Sequence, residues 1–430
     1  MNKVTDSTPW LGCIADDFTG ATDLASFLVA SGLRTIQVNG LPTPQQIANI
    51  KDVDAVVIAV KSRTIPVQDA VELSLACLEV LQSLGCAKYY FKYCSTFDST
   101  PEGNIGPVID ALMSKLNAAS TVVCPALPVN GRTVYQGHLF VFDQLLHESP
   151  MKDHPLTPMK DSSLVRMMEA QGTGKAVSIP SQVVEQGPGA LTEALETQRV
   201  NHHYLVLDAL STDHLKCIGE CLSSFTLITG GSGLAIGLGK EFEDCGGNLT
   251  EVTSSVQPIA APTLVLSGSC SAMTQKQVAA YRTSHPVMEL DPAKLVTGEQ
   301  SVDSIITWLA SAIDRAPLVT ATAAPDIIAE NHQNYGAEFI AGLIEQTFGA
   351  LAIAASDQLG VRNFVVAGGE TSGAVVNALG VDSFYIGKSI APGVPMVQTP
   401  GEQPINLALK SGNFGQQDFF FQALETLSCC

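Results

Sequence analysis

Apolar, strand-like runs alternate with segments of helical period over almost the whole chain, and this alternation restricts the fold more than any other feature. Candidate strands fall at 10–15, 35–38, 54–60, 87–91, 120–124, 176–180, 203–207 and 225–229. Helical segments at 21–31, 67–84, 105–117, 162–171, 189–199 and 212–223 lie between them. Such a pattern implies βαβ units and a largely parallel sheet covered on both faces. It stops at 245–262, where Gly246-Gly247-Asn248, a Thr/Ser cluster and two prolines read as a linker. It then resumes with strands at 263–267, 286–290, 317–321 and 363–367 and helices at 272–283, 302–315, 337–359 and 372–379. Two β-rich pieces, 383–390 and 405–411, close the chain. A length of 430 residues exceeds one ordinary core. The expected architecture is α/β, with two domains (1–245 and 263–430) joined by a linker at 246–262. Each domain is a largely parallel sheet flanked by helices, with a cleft between them as the favoured place for a ligand.

Charge and cysteine usage remove several classes of function. A formal net charge of −19 argues against nucleic acid or an anionic membrane as partner, because both require clustered Lys and Arg. No apolar run approaches the roughly 18–20 residues of a membrane span, and Met1–Pro9 lacks a secretory signal pattern. The 11 cysteines are scattered through apolar segments without a Cys-x-x-Cys pair, and the eight histidines lack His-Glu-x-x-His spacing. Reduced cytoplasmic thiols fit this pattern better than disulfides or zinc. Nothing in it excludes a homo-oligomer.

The first strand runs into Ala15-Asp16-Asp17-Phe18-Thr19-Gly20-Ala21, so two carboxylates stand where a strand hands over to a helix, with Thr19 and Gly20 read as turn residues. Ligands bind at such strand ends in open α/β sheets, although Asp at a helix start also serves as a simple cap. Other polar loops follow other strands: Lys61-Ser62-Arg63-Thr64, then Lys92 to Thr100 with Asp98 and Ser99, then Gly103-Asn104. Asn130-Gly131-Arg132, with His138 just beyond, follows strand 120–124. Hydroxyls, amides and isolated cations among carboxylates suit a small polyhydroxylated acid, with Arg or Lys pairing its carboxylate. Loop caps are the lesser reading for Asp98 and Asn104, while His138 reads equally as a packed side chain.

The second half carries turns of another kind. Ser267-Gly268-Ser269 and Gly368-Gly369-Glu370-Thr371 are strand-to-helix turns of small residues, and Lys410 with Gly412 follows the last strand. Small residues let backbone N–H groups approach an anion, and the helix dipole favours it. The set reads as a phosphate or nucleotide cradle, with Glu370 placed where Mg²⁺ could be held. Neither Gly387-Lys388-Ser389 nor Gly239-Lys240 completes a Walker motif, and no Gly-x-Gly-x-x-Gly follows the first strand.

With these residues taken together, the chain resembles the four-carbon acid sugar kinase family, most closely its 3-oxo-tetronate branch. The motifs that carry the likeness are 15–21, 92–106, 124–133, 135–138, 151–166, 228–234, 267–269 and 367–373, in order along the chain. The resemblance implies a sugar-acid-binding N-terminal domain and an ATP-binding C-terminal domain. The nucleotide would be held by Ser267, Gly268, Ser269, Gly368, Gly369, Glu370, Thr371, Lys410 and Gly412. The expected reaction is ATP-dependent phosphorylation of the C4 hydroxyl of a 3-oxo-tetronate, with Mg²⁺. Asp17 or Asp16 would be the acceptor-side carboxylate, and Thr19, Asp98, Ser99, Asn104, Asn130 and His138 would line the substrate. Many relatives carry Leu-Arg where this chain has Pro101-Glu102, so the cation for the substrate carboxylate falls to Arg63, Lys92 or Arg132. The alternatives are a kinase of a non-oxidised tetronate such as erythronate or threonate, a sugar-acid dehydrogenase, and a non-catalytic sugar-acid or ATP-binding protein.

Overall fold

The computed structural model describes residues 8–153, 157–249, 256–322, 333–391, 393–410 and 414–428. The chain divides into two compact units, 1–252 and 253–430.

The strands of the first unit are short and apolar, and most are buried along their whole length. They are β1 (Leu11–Ala15), β2 (Thr35–Asn39), β3 (Ala55–Ala59), β4 (Lys88–Lys92), β5 (Thr121–Cys124), β6 (Arg132–Tyr135), β7 (His138–Val141), β8 (Gln144–Leu145), β9 (Ala176–Ile179), β10 (Tyr204–Leu207) and β11 (Leu227–Gly230). Eight of them form one sheet in the order β2-β3-β1-β4-β11-β5-β10-β9. Every pairing within it is parallel. β6, β7 and β8 form a separate antiparallel meander after β5. Because all eight strands run the same way, the loops after Ala15, Ala59, Lys92, Cys124 and Gly230 leave from one edge.

The second unit contains β12 (Thr263–Ser267), β13 (Val287–Glu289), β14 (Leu318–Thr320), β15 (Asn363–Ala367), β16 (Ser383–Ala391), β17 (Val394–Gln398) and β18 (Asn406–Lys410). Their order is β13-β14-β12-β15-β18-β17-β16. The pairings from β13 to β18 are parallel, and β17 runs antiparallel to both its neighbours. Val265, Val365, Ala408, Tyr281 and Phe419 meet in a core completed by the C-terminal helix Phe419–Leu427.

The two units share a topological device. In the first, the chain leaves β1 to build β2 and β3 on one side, then crosses to build β4 on the other. In the second, β12 precedes β13 and β14 on one side and β15 on the other. A reversal of this kind opens a crevice at the carboxyl ends of the two central strands, here β1/β4 and β12/β15.

Three expectations need correction. The first helix begins at Phe18, not Ala21, so Thr19 and Gly20 are helical, because Asp17 caps it from the strand end. The helix after β15 likewise begins at Gly369 and not at 372, which puts Glu370 and Thr371 in its first turn. Residues Glu338–Leu359 are also long and apolar enough to cross a bilayer, contrary to the expectation that no apolar run is; Glu345, Gln346 and Asp357 divide the stretch in the sequence. This helix packs on Gly369–Ala378 and Val302–Ala312 and buries Ile340, Phe348, Leu351, Ala352 and Ala355, as a core helix of an α/β unit does.

Candidate active site

At the β1/β4 crevice the two aspartates are drawn into a knot of charges. Asp16, 4% exposed, receives both prongs of the Arg63 guanidinium, Nε and Nη2 each 2.9 Å from a carboxylate oxygen. Arg63 also donates to Asp17 Oδ2 and lies 3.6 Å from Asp98 Oδ2. Asp17 Oδ1 accepts the Gly20 N–H at 2.6 Å and faces Lys92 Nζ at 3.5 Å. The cap and the ion-paired carboxylate are therefore the same residue. Gly20 makes this possible: a Cβ there would stand 1.6 Å from Lys92 Nζ and 2.3 Å from Asp17 Oδ1.

Electrostatics separate the two acids. Burial pushes the Asp16 carboxyl up, while Arg63 and Lys92 oppose the shift. Burial also pushes Asp17 up, but Lys92, Arg63 and the Gly20 N–H together outweigh it and hold its carboxyl below the usual range. The ion pairs hold Arg63 firmly charged against its own desolvation. Asp23, on the second turn of the same helix, is a group the sequence reading missed. Burial raises it to about 6, with Lys92 opposing and Asp17 reinforcing the shift. A signal was available, since Asp23 is the sole charged residue of Phe18–Ala30.

The loop after β4 is built to aim Asp98 at Arg63. Phe97 takes a left-handed φ of 51°, a conformation that costs a non-glycine residue about 1–2 kcal/mol, and its ring is anchored edge-on against Tyr93 at 5.4 Å. Thr96 donates to Asp98 Oδ1 at 2.6 Å. The Asn104 side-chain nitrogen donates to the carbonyls of Ser62, Arg63 and Ile65 at 2.8, 3.2 and 2.9 Å and so fixes the Arg63 loop. Ser99 is buried and accepts from Gln171 at 2.9 Å. Thr19 is exposed on the first helical turn.

Asn130, Arg132 and His138 belong to the β5 exit and the meander, and among the described residues no hydrogen bond or ion pair joins them to the aspartate knot. Arg132 stacks over Phe142, 5.6 Å from its centroid, and donates to the Asn130 carbonyl. His138 Nδ1 meets the Gln136 carbonyl at 2.8 Å. The buried Asp208, also missed, organises that turn by accepting from Gln136, Gly137 and Ser181 N–H groups at 2.7, 2.9 and 3.0 Å.

Among the described residues, the β12/β15 crevice contains no such knot. The Gly268 and Ser269 N–H groups both donate to the Ala367 carbonyl, at 3.0 and 3.1 Å, and Gly368 N–H donates to Lys410 O at 2.9 Å. These backbone donors stitch the turns together, contrary to the expectation that they hold phosphates. The first-turn N–H groups of Gly369, Glu370 and Thr371 and the hydroxyl of Ser269 are what an anion would meet. Gly268 is needed for the approach, because a Cβ would fall 2.1 Å from Thr371 Oγ1; Gly368 needs its φ of +125°. Ser267 is buried and paired with Thr322 at 2.9 Å. Lys410 is 1% exposed and lies beneath the turn, not on it. Glu370 is exposed, and no group of three or more His, Cys, Asp or Glu able to hold a metal occurs among the described residues. Gly412 lies outside the described residues.

A charged crevice in one α/β unit and a small-residue, helix-headed crevice in the other define a protein with separate places for a polar small molecule and for a nucleotide. Comparison with known proteins gives the same division. A sugar-binding N-terminal domain model matches residues 11–238, and a nucleotide-binding C-terminal domain model matches 264–420. The chain is 48% identical over 417 residues to a 3-oxo-tetronate kinase of Brucella melitensis, covering 96% of this chain and 94% of that one. It is 48% identical over 418 residues to a 3-oxo-tetronate kinase of Salmonella typhimurium, covering 96% and 98%. A crystal structure of a Haemophilus influenzae protein superposes with a TM-score of 0.90 at 46% identity, covering 97% of this chain and all of that one. The chain belongs to the 3-oxo-tetronate kinase family, built from a sugar-binding and a nucleotide-binding domain.

Proposed function

We infer that the protein is an ATP-dependent kinase that phosphorylates the C4 hydroxyl of a 3-oxo-tetronate, in the cytoplasm. The observation that carries this is the 48% identity to a 3-oxo-tetronate kinase across 96% of the chain, and therefore across both units. Phosphoryl transfer asks for positioning and charge neutralisation more than for covalent chemistry, and the two crevices divide that work.

On the acceptor side, Asp17 is the group assigned to the attacking hydroxyl. Its partial exposure and low pKa support this, because a loose transition state needs a carboxylate that orients the hydroxyl rather than one that removes its proton early. Asp16, buried and bidentate on Arg63, is assigned to holding that cation in place. Arg132 has no carboxylate partner among the described residues, which supports it over Arg63 as the partner of the substrate carboxylate. On the donor side, the first-turn N–H groups of Gly369, Glu370 and Thr371 suit the polyphosphate. The exposed Glu370 fits a Mg²⁺ that is held mainly by phosphate oxygens, as this ion commonly is. When bound, that ion would neutralise charge developing on the transferred group.

ADP formation with ATP and a panel of tetronates tests the reading. Release that depends on a 3-oxo-tetronate is expected; equal turnover of erythronate or threonate would overturn the substrate.

A further inference from the structure

The donor crevice contains a cation that does not reach its surface. The Lys410 ammonium donates to Thr274 Oγ1 at 3.0 Å and lies 5.9 Å from the centroid of the Phe419 ring. Thr274 is fully buried, accepts the Ser271 hydroxyl at 3.0 Å, and donates to Ser269 Oγ at 3.2 Å. Direction along this chain is fixed at its start, because an ammonium has donors and no acceptor. Ser269 Oγ also accepts the Ser271 N–H, at 3.3 Å. A hydroxyl oxygen has two lone pairs, and both are then engaged. The proton of Ser269 is the group that remains to face outward, from a half-buried position at the head of the β12/β15 crevice.

The setting of the ammonium points to an anion above it. Thr274 lies in the first turn of the ten-residue helix Ala272–Tyr281, whose amino end carries positive partial charge. A buried ammonium beside that end is repelled by it, and burial lowers the Lys410 pKa to about 8. A phosphate bound at Ser269 relieves both penalties.

We propose that Lys410 and Thr274 are positioning residues, which lock the Ser269 hydroxyl as a hydrogen-bond donor to a phosphate oxygen of the nucleotide without touching it themselves. This rests on the reading of the C-terminal unit as the ATP site. The relay makes Ser269 selective for an acceptor-only ligand group, since its oxygen has no lone pair left to receive a donor.

The test uses the full chain, with calorimetric titration of ATP and steady-state kinetics. Thr274→Val keeps the side-chain volume and removes the relay; Thr274→Ser keeps the hydroxyl. We expect Thr274→Val to raise the KM for ATP by about tenfold or more, the scale of one hydrogen bond to a charged group, with the sugar-acid KM unchanged. Thr274→Ser should restore most of the affinity. Ser269→Ala should cost as much as Thr274→Val, and the double variant should be no weaker than Ser269→Ala alone, because both remove one interaction. Independent, multiplying effects in the double variant, or no rescue by serine, would overturn the relay. If Thr274→Val does not fold, Ser269→Ala decides by itself: an unchanged KM for ATP overturns the proposal. A wild-type chain that binds no ATP overturns the ATP reading itself, which keeps the two failures apart.

Discussion

The same crevice, first strand against the strand that crosses over, is furnished in opposite ways in the two units. At β1/β4 the chain places ionised side chains against one another: Asp16, Asp17 and Asp98 around Arg63, with Lys92 behind Asp17. At β12/β15 it places glycines, hydroxyls and a helix start, and the cation Lys410 is buried beneath. The difference follows from the ligand each suits. A small hydroxylated acid offers few handles, so charged side chains at fixed positions must recognise each one. A polyphosphate carries its own charge and is met by backbone dipoles, which are not lost to proton exchange or rotamer change. Topology thus supplies the crevice, and side-chain chemistry supplies the specificity.

The largest expected effect breaks the acceptor side alone. Asp17→Asn keeps the helix cap, since Asn caps as well as Asp, but should lower kcat by about 10²–10⁴-fold while ATP affinity stays nearly constant. Turnover within a few-fold of wild type would remove Asp17 from its assigned role. Next in size, Arg63→Ala leaves the buried Asp16 without its partner and should destabilise the first unit by about 3–5 kcal/mol, read as a fall in thermal midpoint. A fall no larger than that of an exposed ion pair would show that the knot is not a structural element.

A smaller effect isolates the donor side. Gly268→Ala pushes a methyl toward Thr371 and should raise the KM for ATP by roughly tenfold, the scale of overpacking by one methyl, leaving the sugar-acid KM alone. The smallest is a pH effect. Asp23 has a folded pKa of about 6 against an ordinary 3.8. The folded state therefore binds the extra proton between these values, and the stability it contributes is lost as pH rises through about 6. Asp23→Asn should flatten the decline in thermal midpoint between about pH 4 and 6; an unchanged slope would assign that decline to other groups.

Much of this was legible before the structure. The strands and helices follow from apolar runs and turn residues, which are local properties, and the boundaries drifted by a few residues at Phe18, where Asp17 caps the helix, and at Gly369. The polar loops were found because they follow those runs. Their internal pairings were not. Arg63 was read as one of three candidate partners for the substrate carboxylate, and its bond to Asp16 across 47 positions of sequence was not foreseen; Lys410 was read as a phosphate contact, and its donation to Thr274 across 136 was not foreseen either. Asn104 was read as a substrate contact, and its hold on the Arg63 loop was not foreseen. Thr274 gave no sequence signal, because a threonine in a first helical turn is ordinary.

The sequence by itself determined the α/β class, the alternation that places each polar loop after a strand, and the chemical contrast between a carboxylate-rich half and a half of small-residue turns. These depend on periodicity and composition, which neighbouring residues carry. The tertiary structure decided which charges satisfy one another, which backbone donors are already engaged, and that Asp17 is both cap and ion-pair partner. Those outcomes depend on strand order, which brings residues tens to hundreds of positions apart to one edge, and on burial, which leaves each charge there in need of a partner.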